Sequence, residues 1–145
     1  MVYADRLLPH DIAAEEGVIG SLLLDGDALV RIARELKPED FYRERNRYCY
    51  EAVLSLSHQD GGVNQITVAH QLALREQLDA VGGMAYLSHL VSIVPSPVHI
   101  EYYAGIVALT GLQRRMIDAA SNLAEIGYMG AVSYTHLTLP TIYSV

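Results

Sequence analysis

The stretch that decides the fold spans residues 98–128 and reads VHIEYYAGIVALTGLQRRMIDAASNLAEIGY. It contains no proline, and apolar residues recur through it at steps of mostly three and four, which is the spacing of one face of an α-helix. At 1.5 Å per residue, a helix of this length would extend about 45 Å, more than the diameter of a compact head of about a hundred residues. We therefore expect a long helix that projects from a head and whose apolar face needs a partner. The apolar residues are Ile100, Tyr103, Ala104, Val107, Leu112, Met116, Ala119, Ala120, Leu123 and Ile126.

Two alternatives to a projecting helix remain open at this point. The helix could bend back onto the head, or it could fray beyond its interior glycines, Gly105 and Gly111. Each glycine costs about 1 kcal/mol relative to alanine inside a helix.

The preceding residues, 1–97, have the pattern of a helical head. Asp11 is a candidate N-cap for a first helix, and Pro95-Ser96-Pro97 forms a stiff elbow before the long helix. No segment of residues 1–130 alternates apolar and polar residues as a strand does, so we predict an all-α fold: a compact head of about five helices followed by the long helix. The further predicted helices are 28–36, 41–58, 68–77 and 84–93, with a loop at 78–83.

The last fifteen residues, 131–145, differ in composition from the rest. They read AVSYTHLTLPTIYSV, a threonine-rich and β-prone run without a charged residue. The string VSYTHLTLPT resembles a translated sequencing-library adapter, which predicts a non-native tail. The alternative is a genuine disordered tail.

Composition excludes several classes of function. The formal net charge is −7 and the basic residues are scattered, whereas a duplex-binding surface needs a concentrated basic face, so we expect no direct nucleic-acid binding. No apolar run is long enough to span a membrane, no secretory leader is evident, and the single cysteine, Cys49, fits a buried position in a reducing compartment. The predicted location is cytoplasmic.

Catalytic, cofactor and metal motifs are also missing from the sequence. The only lysine, Lys37, is followed by proline, so the phosphate-binding loop of the form GxxxxGK[ST] is absent. The six histidines have no metal-ligand spacing, and acidic pairs such as Glu15 and Glu16 fall where helix starts favour negative charge. The arginines 43, 45 and 47 are expected on a solvated surface. We predict no catalytic, cofactor-binding or metal-binding residue in this chain.

Three strings carry a resemblance to a known family. They are LPHDIAAEEGVIGSLLLDGDAL (8–29), LKPEDFYRERNRYCYEAVLSL (36–56) and LDAVGGMAYLSHLVSIVPSPVHIEYYAGIV (78–107). In this order they resemble the N-terminal domain of DnaB-type replicative DNA helicases, over about residues 5–128. Gly111, in the middle of the long helix, is a departure from a strong helix former.

The resemblance implies a helical head (1–97) followed by a two-helix hairpin, of which residues 98–130 would be the first arm. In that family the hairpins pair subunits, the pairs build a collar on a hexameric ring, and primase docks on the collar. The ATPase domain, which uses ATP and Mg, would follow a linker, and we expect this chain to stop before it. The arm residues expected to contact other subunits are Tyr103, Ile106, Val107, Met116, Ile117, Leu123 and Ile126.

Other functions compete with that of a helicase collar. The helicase-binding domain of a primase resembles the same fold, although a start at Met1 favours the helicase, since a primase would place this domain after a long catalytic region. A stand-alone helical adaptor is a further alternative. The missing phosphate-binding loop argues against helicase activity in this polypeptide, but not in a longer parent protein.

Overall fold

A computed structural model of the chain describes residues 7–130, and the predicted tail at 131–145 lies outside the described residues. The described part is all-α, as predicted, and contains no β-strand. Its α-helices are α1 (Ile12–Leu24), α2 (Glu44–His58), α3 (Gln65–Leu74), α4 (Leu78–Val81), α5 (Gly83–Ile93) and α6 (Ile100–Tyr128). Three 3-10 helices lie between them, at Gly26–Arg31, Pro38–Asp40 and Pro97–His99.

The start of α1 confirms the predicted cap. The side chain of Asp11 accepts a hydrogen bond from the Ala14 amide at 2.9 Å, which pairs one of the amides that a helix start leaves without a partner. The helix is then buried over most of its length, and Val18, Ile19 and Leu22 are fully inaccessible to water. Because α1 is covered on several sides, it forms the centre of the core rather than one edge of it.

Several predicted boundaries are wrong for local reasons. The predicted helix 28–36 is a 3-10 helix that ends at Arg31, and α2 begins at Glu44 rather than at residue 41. The helix α3 begins at Gln65, three residues earlier than predicted, because Asn64 is its N-cap and accepts hydrogen bonds from the amides of residues 66 and 67. Part of the loop predicted at 78–83 is the short helix α4, which ends at Gly82, where φ is +110°. That left-handed conformation favours glycine.

The chain divides after Leu112 into two compact units. The first unit holds the apolar core, which α1, α2, α3, α5 and the first three turns of α6 build together. From α6, residues Ile100, Ala104 and Val107 are buried in it. Val107, which the sequence analysis assigned to contacts with other subunits, is instead fully buried in the core of the first unit.

Gly111 is also buried in the first unit, and its surroundings explain why a glycine stands inside this helix. A Cβ atom at this position would lie 2.5 Å from Oδ1 and 2.9 Å from Cα of Asp40. The 3-10 helix Pro38–Asp40 thus approaches the backbone of α6 at Gly111 more closely than a side chain at that position would allow. The helix continues unbroken through both Gly105 and Gly111, so the alternative that it frays at these glycines is wrong.

A buried carboxylate connects α1 to α2. Glu15, which is fully buried, accepts hydrogen bonds from the amides of Tyr42 at 2.6 Å and Arg43 at 3.3 Å, and from the Asn46 side-chain amide at 3.0 Å. Arg43, the N-cap residue of α2, makes no capping hydrogen bond with its own side chain. Glu15 therefore caps α2 from a neighbouring helix, a role that its position at a helix start did not indicate.

The polar cluster extends from Glu15 to α5. The Tyr86 hydroxyl donates to the Asn46 side-chain oxygen, and the Arg45 guanidinium carbon lies 4.1 Å from the centre of the Tyr86 ring. Burial raises the pKa of Tyr86 well above its ordinary value. Arg45 is consequently half-buried against an aromatic face, which corrects the prediction that it is fully solvated like its neighbour Arg43.

Candidate interaction surface

The second unit presents an apolar face along the last turns of α6. Met116, Leu123 and Ile126 have between 60% and 69% of their surface exposed, and Ala119 between them is exposed as well. The steps of three, four and seven residues place all four on one side of the helix. Apart from the half-buried Ile117, the residues between them, such as Asp118, are charged, polar or small, so the helix is amphipathic although its apolar side faces water.

The first unit presents a similar face on the earlier turns of α6. Tyr102, Leu109 and Leu112 are exposed at 69%, 54% and 47%, whereas the core residues Ala104 and Val107 point the other way. The apolar residues of these turns therefore lie on two sides of the helix. One side is covered by the first unit's core, and the other is open to solvent.

The exposed residues of both units follow a single heptad repeat in the sequence. We call this set the α6 seam. Such a repeat, with positions a and d apolar, is the pattern by which helices pair in coiled coils. In the a positions stand Tyr102, Leu109, Met116 and Leu123, and in the d positions stand Gly105, Leu112, Ala119 and Ile126.

The predicted site residues do not all belong to the α6 seam. Met116, Leu123 and Ile126 do, whereas Ile117 lies half-buried outside the repeat. In the first unit, Tyr103 and Ile106 are half-buried and pack against the core, as Val107 does more completely. Tyr103 covers Gly17 of α1, where a Cβ atom would lie 2.8 Å from the tyrosine ring.

Sequence reasoning missed the exposed residues Tyr102 and Leu109 as site residues, and used Leu112 only as evidence of the helix. A signal that could have found them was present. The helical spacing of three and four is compatible with either side of α6, and the buried side also has a spacing of seven, from Ile100 to Val107. Only the exposed side continues that spacing with an apolar residue, since Met116 follows Leu109 whereas Arg114 follows Val107. The buried and the exposed apolar residues lie on the same helix, and the core of the first unit covers only the buried ones.

Other kinds of site are less well supported in the described part of the chain. Among residues 7–130, no three histidine, cysteine, aspartate or glutamate side chains are grouped so that they could hold a metal ion. Cys49 is buried, and burial raises the pKa of its thiol to about 12. No helix within the same range is long and apolar enough to cross a membrane.

Comparison with known proteins identifies the family. Residues 7–108 match the DnaB-like helicase N-terminal domain, which is most of the first unit. The chain belongs to this family. The replicative DNA helicase DnaB of Geobacillus stearothermophilus is 39% identical to it over 127 residues, which are 88% of this chain and 28% of that helicase. The chain thus spans about a quarter of the length of the curated relatives it matches.

Solved structures of DnaB N-terminal domains have the same fold. The N-terminal domain of DnaB helicase from Mycobacterium tuberculosis is 39% identical and superposes with a TM-score of 0.84, covering 86% of this chain and 89% of that one. The N-terminal domain of DnaB helicase from Helicobacter pylori, solved in a study of its interactions with primase, is 19% identical with a TM-score of 0.64, covering 79% of this chain and 89% of that one. This second likeness shows the fold alone.

Proposed function

We propose that the chain is the collar part of a replicative DNA helicase, which pairs subunits, supports hexamer assembly and docks primase during DNA replication. The observation that carries the proposal is an apolar, heptad-spaced face on α6 that is open to solvent, in a chain that belongs to the DnaB N-terminal family. A large apolar side chain left in water forgoes about 1.5–3 kcal/mol of burial. Several such exposed side chains in one row strongly favour association with another apolar surface.

Primase docking is supported by the relatives rather than by a feature of this chain. The Helicobacter pylori domain was solved in a study of its interactions with primase, and a DnaB-like replicative helicase was solved in a similar one. We propose the same kind of partner here. Unwinding, with ATP and Mg, would belong to a separate ATPase domain, and a cytoplasmic location follows from that role.

Self-association is tested by sedimentation velocity at micromolar concentration. We expect the chain to sediment as a dimer or larger species, and the double variant Met116→Asp with Leu123→Asp to sediment as a monomer, because each carboxylate would have to be buried without a partner. Circular dichroism should show that the double variant keeps its helices, since both positions are exposed. A monomeric parent chain, or a double variant that unfolds, would contradict the proposal.

Primase docking needs a separate measurement. The chain is immobilised and titrated with primase from Geobacillus stearothermophilus, the source of a 39% identical helicase. Saturable binding that survives in the double aspartate variant would place primase away from the α6 seam. The absence of binding would remove the docking part of the proposal and leave subunit pairing intact.

A further inference from the structure

Arg45, near the start of α2, is held in place without an acidic partner. Its guanidinium carbon lies 4.1 Å from the centre of the Tyr86 ring, which fixes the plane of the group against α5. Its Nε atom is buried and has no hydrogen-bond acceptor within residues 7–130. Its two Nη atoms reach solvent and make no hydrogen bond in that range either. The guanidinium therefore has a fixed plane and an open outer edge.

The acidic residues that lie near Arg45 have other partners. Glu15 accepts hydrogen bonds from the amides at the start of α2. Glu16 accepts from the Tyr86 hydroxyl at 3.4 Å and lies 3.9 Å from Nε2 of His89. Within the described range, no carboxylate oxygen lies within 4.0 Å of a nitrogen of the Arg45 guanidinium. A charge that is partly withdrawn from water without a counter-charge is costly, so an anion from outside the chain would stabilise it.

A second arginine adds positive charge at the same place. Arg43 is exposed, and its side chain forms no ion pair with any residue that the structure describes. Burial and the Glu16 carboxylate raise the pKa of the Tyr86 hydroxyl, and the charges of Arg45 and Arg43 partly oppose this rise. Both guanidinium groups therefore lie close enough to Tyr86 for their charges to act on it.

We propose that Arg45 and Arg43 form a binding site for the carboxylates of an acidic peptide segment of another protein. The site lies within the first unit and goes beyond the proposed pairing through α6, on which it does not depend. A carboxylate accepts two parallel hydrogen bonds from the Nη atoms of a guanidinium, which fits the open edge of Arg45. Arg43 would hold a second acidic residue of the same segment.

The charge on the rest of the chain favours a short acidic segment over a polyanion. The net charge is −7, and Glu44 lies between the two arginines in the sequence. A nucleic acid needs a concentrated basic surface to displace its counterions, and two arginines do not supply one. A carboxylate carries a single charge and matches the flat fork of the guanidinium.

An NMR titration of the whole chain tests the site. The probe is the peptide acetyl-Gly-Glu-Gly-Glu-Gly-amide, and its matched control has glutamine in place of both glutamates. Because the Nε atom of Arg45 is buried, its hydrogen should exchange slowly enough to give a resolved side-chain signal. We expect the glutamate peptide to shift this signal saturably at millimolar concentrations and the glutamine peptide to leave it unchanged. The signals of the exposed Arg34 and Arg75 should shift little with either peptide.

Two substitutions at Arg45 separate the charge from the shape of the group. Arg45→Gln should weaken binding of the glutamate peptide at least about 5-fold, whereas Arg34→Gln, the same charge change at an exposed position, should change it less than about 2-fold. Arg45→Lys keeps the charge but loses the planar fork, so it should weaken binding about 3-fold or more. Circular dichroism of each variant checks that the helices are kept. If Arg45→Gln loses helix content, the lysine variant decides.

Several results would overturn the inference. A glutamate peptide that shifts the Arg34 signal as much as the Arg45 signal would show general charge attraction and no site. Equal binding by the parent chain and Arg45→Lys would rule out recognition by the guanidinium fork. Displacement of the peptide by an equal concentration of inorganic phosphate would show that the site takes a free anion instead of a peptide. None of these results bears on subunit pairing, which sedimentation measures separately.

Discussion

Replacing Gly111 by alanine should destabilise the first unit, although alanine is the better helix former. Helix propensity alone would make the change favourable by about 1 kcal/mol. The added Cβ, however, would lie 2.5 Å from Oδ1 and 2.9 Å from Cα of Asp40. Inserting a methyl group into such a close contact typically costs about 1–3 kcal/mol, and here part of the obstacle is backbone, which cannot rotate away. Because a backbone obstacle places the cost in the upper part of that range, at about 2–3 kcal/mol, the net loss after the gain in helix propensity is about 1–2 kcal/mol.

Gly105 provides the matched control on the same helix. No atom outside its own helix lies within 4 Å of a Cβ built there, so Gly105→Ala should stabilise the chain by up to about 1 kcal/mol. Both variants are compared in the double background Met116→Asp with Leu123→Asp, which is expected to be monomeric, so that self-association does not contribute. They are unfolded with urea while circular dichroism is followed. The two substitutions should differ in sign. If both stabilise the chain equally, the close contact between α6 and Asp40 is absent in solution and the reasoning is refuted.

Three further outcomes are expected. Leu123→Asp should weaken self-association at least about 10-fold. The control Ser121→Asp adds the same charge to the polar side of α6 and should change self-association little. Equal effects of the two variants in sedimentation would mean that net charge, not the α6 seam, controls pairing. Glu15→Ala should lower the free energy of unfolding in urea by about 3 kcal/mol or more, because it leaves the start of α2 uncapped. The control Glu35→Ala, at an exposed position, should lower it by less than about 0.5 kcal/mol. Similar losses in the two variants would contradict the capping role of Glu15. Finally, burial raises the pKa of Cys49 to about 12, so the folded chain binds the thiol proton more tightly than the unfolded chain does. The stability that the protonated Cys49 thiol contributes should therefore be complete below pH ~8.5. Above that pH it should decline by up to about 1.4 kcal/mol per pH unit. Stability that rises with pH in this window would contradict this assignment.

The sequence by itself determined the elements whose signals are local. The cap at Asp11 and the long helix α6 depend on residues within a few positions of each other, and the structure confirms them. The family was also accessible, because its matching strings are contiguous in the sequence. The start of α3 was predicted three residues late, because both Asn64 and Thr67 are residue types that can cap a helix and the sequence alone does not choose between them.

Only the tertiary structure decided which side of α6 is covered. The sequence placed apolar residues on two sides of this helix, and helical spacing could not tell that the core takes Val107 while Leu109 stays exposed. The same holds for Glu15, whose capping partners on α2 are 27 to 31 residues away in the sequence. Burial depends on which elements pack together, and a local sequence pattern fixes the face of a helix but not the neighbour that covers it.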